Sequence, residues 1–342
     1  MHKRKVGIWL FCCAILVVSM IVVGGFTRLS QSGLSIVEWK PITGTLPPIS
    51  SNAWDKEFEL YKKFPEYKEK NFNFTLEEFK EIYMVEYYHR LIGRFTGLVF
   101  LLPFIYFFIR GYIKKKDTIF LSIVFALGVC QGFMGWYMVK SGLVNDPDVS
   151  HYRLSSHLML AFLIYFLISW KGLCFWQGSG NPRGSNYFKH AILLFAICVL
   201  QIFFGALVAG LDAGLIYNSF PLMGGKIIPY EVYRSFGNLK IFSDPVTVQF
   251  LHRVFGIALL FYSLYFFYIL NKGGVKKIII PMRVAILTIF AQFLLGIFTL
   301  IYKVPMNLAI LHQFGAIIVF TNLLFILFSL RYAPSFKIQK NL

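Results

Sequence analysis

Glu86 and His89 stand three residues apart in the stretch EYYHRLIGRFTG, at the head of a long apolar run. On a helix, a carboxylate and an imidazole at that spacing share one face. Gly93 and Gly97 continue the same face without side chains. Such a strip either receives something large and flat beside an acid–base pair, or packs helix on helix through Gly-xxx-Gly. The pattern returns 163 positions later, where His89-Arg90-x-x-Gly93 becomes His252-Arg253-x-x-Gly256 and Gln249 takes the place of Glu86. His157, four residues before Ala161, is matched by His312, four before Ala316. Gln131-x-x-x-Gly135 is likewise matched by Gln292-x-x-x-Gly296, and Gly24-Gly25 by Gly205.

Four imidazoles in apolar runs ask for a chemical reason, because ionisable side chains at membrane depth are expensive and mark function. A zinc ion wants a third or fourth ligand and an open position. Haem wants one imidazole on each side of a flat ring and small residues where the macrocycle meets a helix. The repeat offers that as His89 with His157 and His252 with His312. Helix-gluing or proton-relaying histidines are the competing reading. His2, His151 and His190 fall outside the pattern. With Glu86 in one site and Gln249 in the other, the first is equipped for acid–base or cation-stabilising work and the second for electron transfer. The plain alternative for Glu86 is an acid favoured by a helix N-terminus. Arg28, Arg90, Arg94 and Arg253 lie at the outer boundary, placed either to pair with haem propionates or to snorkel.

The elements that must hold these groups follow from composition. Of 342 residues, 57% are hydrophobic and only 15% charged, which excludes an ordinary soluble domain. The net charge of +18 does not indicate nucleic acid, because the basic residues lie in short clusters between apolar spans. Eight runs, near 6–26, 88–109, 118–139, 154–175, 188–210, 248–270, 279–301 and 308–330, are each long enough to cross a bilayer. Basic loops after every second span place both termini in the cytoplasm. The expected fold is an all-α polytopic membrane protein with eight transmembrane helices in two pseudo-symmetric four-helix bundles. The N-terminal half is 1–176, with a large outer loop at 27–85 holding helical pieces at Ser51–Lys63 and Thr75–Glu86. The C-terminal half is 187–331, and 332–342 is a cytoplasmic tail. Both halves start from the same side, which predicts a parallel pseudo-twofold along the membrane normal. All four histidines then fall in the first two turns of outside-to-inside spans. The cysteines Cys12, Cys13, Cys130, Cys174 and Cys198 fit no zinc motif and read as small buried hydrophobes. The N-terminal run reads as an uncleaved first span, and the lack of a transit-like leader favours a bacterial inner membrane.

Over nearly its full length the chain resembles the haem A synthase family, in its alphaproteobacterial and mitochondrial branch. The resemblance is carried by TRLSQSGLSIVEWKPITGTLPP (Thr27–Pro48), the Trp54…Phe58…Tyr61…Pro65-Glu66 spacing, EYYHRLIGR (Glu86–Arg94), and the settings of His157, His252 and His312. It implies that His252 and His312 ligate a resident haem b, that His89 and His157 hold substrate haem O, and that Glu86 is the catalytic carboxylate. One ring methyl of haem O would become a formyl group, giving haem A for cytochrome oxidase. The implied partners are haem O synthase, cytochrome oxidase or its assembly factors, an unidentified electron donor and membrane lipid, with a homo-oligomer left open. Some bacterial members carry a cysteine pair in the first outer loop, and this chain has none there. Two other classes compete: a dihaem, quinol-oxidising electron carrier and a proton-coupled transporter.

Overall fold

The computed structural model describes residues 2–40, 43–144, 147–178 and 186–332, so most of the expected C-terminal tail lies outside the described residues. In chain order the helices are α1 (His2–Leu29), α2 (Ser51–Tyr61), α3 (Pro65–Glu69), α4 (Leu76–Ile109), α5 (Lys115–Gly142) and α6 (His151–Gln177). They continue as α7 (Phe188–Gly210), α8 (Tyr230–Gly237), α9 (Pro245–Lys272), α10 (Lys276–Ile301) and α11 (Met306–Arg331). Eight of them are long and apolar enough to cross a membrane. Even α7, with 23 residues, rises ~35 Å against a hydrocarbon core of ~30 Å. Large apolar side chains such as Ile15, Leu102, Ile123 and Leu287 stay exposed on these helices, as lipid-facing surfaces require. All five cysteines are free; Cys13 and Cys198 are buried as expected, but Cys12 and Cys130 are exposed on the apolar surfaces of α1 and α5, and Cys174 is half-buried.

The chain divides into two compact units, Met1–Trp176 and Gln177–Leu342. In the second, α7 packs on α9, α9 on α10, α10 on α11 and α11 back on α7, a closed ring of four helices. The first is looser. α1 runs closely against α4, and α4 meets α5 over a shorter stretch. Trp9 Nε1 donates to Val99 O at 2.9 Å, fastening α1 to α4. α6 reaches α1 through Gly7, where an added Cβ would lie 3.4 Å from Gly172 O.

The outer loop of the first unit differs from expectation in one respect. The piece expected at Thr75–Glu86 is not separate but forms the first three turns of α4. A capping box sets the start: Thr75 Oγ1 accepts from Glu78 N at 3.3 Å, and Thr75 N donates to Glu78 Oε2 at 2.7 Å. No glycine or proline interrupts the chain from there until Gly93, so nothing ends the helix at the membrane surface. His89 therefore lies thirteen residues beyond Leu76, not in the first two turns. His157, His252 and His312 do sit about two turns into α6, α9 and α11. The outer turns of α4 and the helix α2 enclose an aromatic core of Ile36, Phe58, Tyr61, Phe79, Tyr83 and Tyr87. Phe58 and Tyr61 each stack on Phe79 with ring centroids 5.0 Å apart.

Candidate active site

Each of the four histidines rests on a glycine of the preceding long helix. A Cβ built on Gly24 (α1) would lie 3.4 Å from His89 Nε2, and one on Gly135 (α5) 3.1 Å from His157 Cε1. In the second unit, Gly205 (α7) would meet His252 Cε1 at 3.0 Å and Gly296 (α10) would meet His312 Cε1 at 2.8 Å. The small residues that matter thus come from the neighbouring helix. On the histidine's own helix, Gly93 packs on α1 at Met20, whose Cε would lie 3.5 Å from an added Cβ, and Gly97 has nothing within 4 Å, so only the first glycine of the Gly-xxx-Gly strip meets a neighbouring helix.

One turn before three of these glycines stands a glutamine whose amide holds the same imidazole. Gln131 Nε2 lies 3.3 Å from His157 Nε2 and donates to His157 O at 3.1 Å. Gln292 Nε2 lies 3.0 Å from His312 Nδ1 and donates to His312 O at 2.7 Å. Gln201 Nε2 lies 3.3 Å from His252 Nε2, while His252 Nδ1 donates to Gln201 O at 3.2 Å. A carbonyl can only accept, so this last bond fixes the proton on Nδ1, and the Nε2 lone pair faces the Gln201 amide. Gln201 escapes the sequence reading although Gln201-x-x-x-Gly205 has the spacing of the other two pairs. In α1 the corresponding place is taken by Met20.

The rings of His252 and His312 have centroids 6.3 Å apart and planes at 80°. With metal–imidazole bonds of ~2.0 Å, two imidazoles on opposite sides of one metal ion place their centroids ~6.3 Å apart. The centroid separation is the one that a bis-imidazole metal site would need. His157 lies within electrostatic reach of His89, and its Nδ1 is buried with no hydrogen-bond partner. The Oε1 atoms of Gln131, Gln201 and Gln292 are buried and unpartnered as well, so the polar network beside the imidazoles is incomplete in the protein alone. Among the described residues no three His, Cys, Asp or Glu side chains gather. The remaining histidines are engaged elsewhere: His2 stacks on Tyr112 at 4.1 Å, His151 packs on Tyr152 at 4.1 Å, and His190 Nδ1 lies 2.9 Å from Tyr262 Oη.

Glu86 is 2% exposed. Its Oε2 accepts from Ser35 Oγ and Ile36 N, both at 2.8 Å. Its Oε1 accepts from Arg90 Nη2 at 2.7 Å and Nε at 3.1 Å. Arg90 goes on to donate to Ile36 O at 2.8 Å and Glu38 O at 3.2 Å. Glu86 lies ten residues into α4, too far in for the helix-terminus alternative. It is a carboxylate held by four donors and clamped to the loop that follows α1.

The second unit repeats the clamp with opposite polarity. Arg253 Nη2 donates to Tyr217 O at 2.8 Å and Nη1 to Ser219 O at 2.9 Å. Gln249, also 2% exposed, donates through Nε2 to Ala213 O at 2.9 Å and Tyr217 O at 3.2 Å. Gln31 (φ 52°) after α1 and Asp212 (φ 47°) after α7 both adopt the left-handed conformation that turns the chain into this loop. Of the arginines expected against propionates, Arg90 and Arg253 thus bind loop carbonyls. Arg94 Nη2 donates to Lys40 O at 2.9 Å, and Arg28 is half-buried near the end of α1.

Beside this clamp lies a cavity of about 330 Å³, bounded by Ile36, Trp39, Arg90, Trp136, Lys140 and Leu143 among others. Trp39 and Trp136, both in its lining, stack on each other with centroids 5.4 Å apart.

Duplicated histidine pairs on glycine cradles, with a buried carboxylate in one unit and an amide in the other, define a multi-pass membrane protein with two related but chemically unequal sites. The profile of the COX15-CtaA family, described as cytochrome oxidase assembly protein, matches residues 7–324. A protein named heme A synthase from Wolbachia pipientis subsp. Culex pipiens is 47% identical over 337 residues, spanning 97% of this chain and 99% of its own. Its namesake in Rickettsia bellii is 47% identical over 325 residues, 92% of this chain and 95% of its own. Another, from Wolbachia pipientis wMel, is 45% identical over 340 residues, 97% and 94% respectively. The chain belongs to the COX15-CtaA family of cytochrome oxidase assembly proteins.

Proposed function

We propose that this chain is an oxidoreductase that makes haem A, converting one ring methyl group of haem O to a formyl group for cytochrome oxidase. The observation that carries the reading is the inequality of two otherwise equivalent sites. Glu86 and Gln249 occupy matching places before His89 and His252, and only the first can bear a negative charge or take up a proton.

His252 and His312 are the residues that would hold a resident haem b, and the closed helix ring around them suits a group that stays. When bound, that group supplies one-electron transfer. His89 and His157 would hold the substrate, and the looser packing of the first unit suits a ligand that must arrive and leave. Methyl-to-formyl oxidation brings in an oxygen atom, either from water with the electrons passed to an acceptor or from dioxygen with a donor reducing its other oxygen to water, and it develops positive charge at the methyl carbon. A carboxylate fixed in place by Arg90, Ser35 and Ile36 needs no reorganisation to oppose that charge or to accept a proton from the methyl group. Arg28, Arg90, Arg94 and Arg253 would supply the guanidinium groups for haem propionates. Basic loops favour cytoplasmic termini in a bacterial inner membrane, with haem O synthase upstream, an oxidase assembly step downstream and a separate electron donor.

The test is co-expression with haem O synthase followed by pigment extraction. Unaltered protein should yield haem A. Glu86→Gln should keep haem at both sites and yield none, and normal haem A from that variant would remove Glu86 from the mechanism. Two bound haems and no haem A from the unaltered protein would instead identify a dihaem electron carrier.

A further inference from the structure

We infer that the cavity between the loop after α1 and the outer end of α5 receives the carboxylate-bearing edge of the substrate porphyrin, with Lys140 as its cation. The inference rests on the reading that the first unit holds haem O, and it adds the place and the group that orient it.

Two residues of the cavity's lining stand next in sequence to groups at the imidazoles of that unit. Arg90 in its wall follows His89 in sequence, and Trp136 follows Gly135, on which His157 rests. Lys140 lies five residues beyond Gly135 on α5, ~7–8 Å further along the axis. Trp39 and Trp136 stack on each other at 29°, and with Ile36 and Leu143 they give the cavity one apolar side. That side suits the apolar rim of a macrocycle.

Charge then separates Lys140 from its neighbours. Arg90 is already engaged by Glu86, Ile36 O and Glu38 O. The Lys140 ammonium lies over the Trp136 ring at 5.2 Å and, among the described residues, makes no ion pair or hydrogen bond. It is exposed, and an ammonium offers three donors. A porphyrin's two carboxylates must stay solvated or paired, and this is a wet, cationic rim on an apolar slot. The long alkyl substituent of haem O has the opposite need, and would be directed away from Lys140.

The test compares haem O with its dimethyl ester, which has the same ring and tail but no carboxylates. Both are titrated by absorbance into purified protein whose resident haem is already bound. The unaltered protein should bind the free acid ~10-fold more tightly than the ester, a value within the range of one charge-assisted contact. Lys140→Gln should cut that preference to ~2-fold by weakening the acid alone, and Lys140→Arg should retain it. A Lys140→Gln protein with unchanged preference, or one weakened equally toward acid and ester, overturns the inference while haem A formation by the unaltered protein leaves the functional reading intact. Failure of the unaltered protein to bind haem O at all overturns both.

Discussion

Glu66 should make the outer cap of the first unit sensitive to pH near neutrality. Its carboxyl is 4% exposed. Tyr61 Oη donates to its Oε2 at 3.0 Å, and Asn71 Nδ2 donates to Tyr61 Oη at 2.8 Å. Burial pushes the carboxyl up from the ordinary 4.5 to about 7, Glu86 adds to the rise with Asp148, and the Tyr61 bond and Lys70 oppose it. The unfolded cap loses this proton near 4.5 while the folded cap keeps it until about 7. Between those values the folded state binds more protons, so stability falls as pH rises and levels off above the folded value. At 1.36 kcal/mol per pH unit the loss is ~3 kcal/mol. Hydrogen–deuterium exchange of a peptide covering 58–71, corrected for the intrinsic rate, should show protection falling ~100-fold from pH 5 to pH 8. Glu66→Gln should hold its protection across that range. Equal pH dependence in the two proteins would show that Glu66 is not the titrating group.

Gly296→Ala should lose the resident haem's absorbance, since its Cβ would press on His312 Cε1 at 2.8 Å, an overpacking penalty of ~1–3 kcal/mol. Gly97→Ala, in open space, is the matching control and should retain it. Gln249→Glu should lower the melting temperature, because a carboxylate would face Ala213 O and Tyr217 O. The cost is at least ~2 kcal/mol near pH 7 and should shrink in acid as the group protonates. Arg253→Met should strand Tyr217 O and Ser219 O and cost ~2–3 kcal/mol in thermal unfolding followed by resident-haem absorbance.

Spans, duplication and histidine pairs are legible in the sequence because they rest on apolar run length and on repeated spacing, both local properties. The continuity of α4 is not, since hydropathy breaks at the charged residues 77–81 while the backbone, capped at Thr75, does not. The cradling glycines were visible as repeats, yet which helix each one serves is a tertiary fact. The clamps formed by Arg90 and Arg253 leave least trace of all, because their partners are carbonyls that any residue at 36, 38, 217 or 219 would supply. Lys140 had no motif to announce it and gains interest only from the cavity it borders.

Met20 sets His89 apart from the other three histidines of the repeat. A thioether cannot donate to an imidazole as an amide does, so the residue one turn before Gly24 gives this ring no amide partner. Were His89 to hold the substrate, its less supported bond would let finished product depart without unfolding the bundle. An amide at that place would trade turnover for residence.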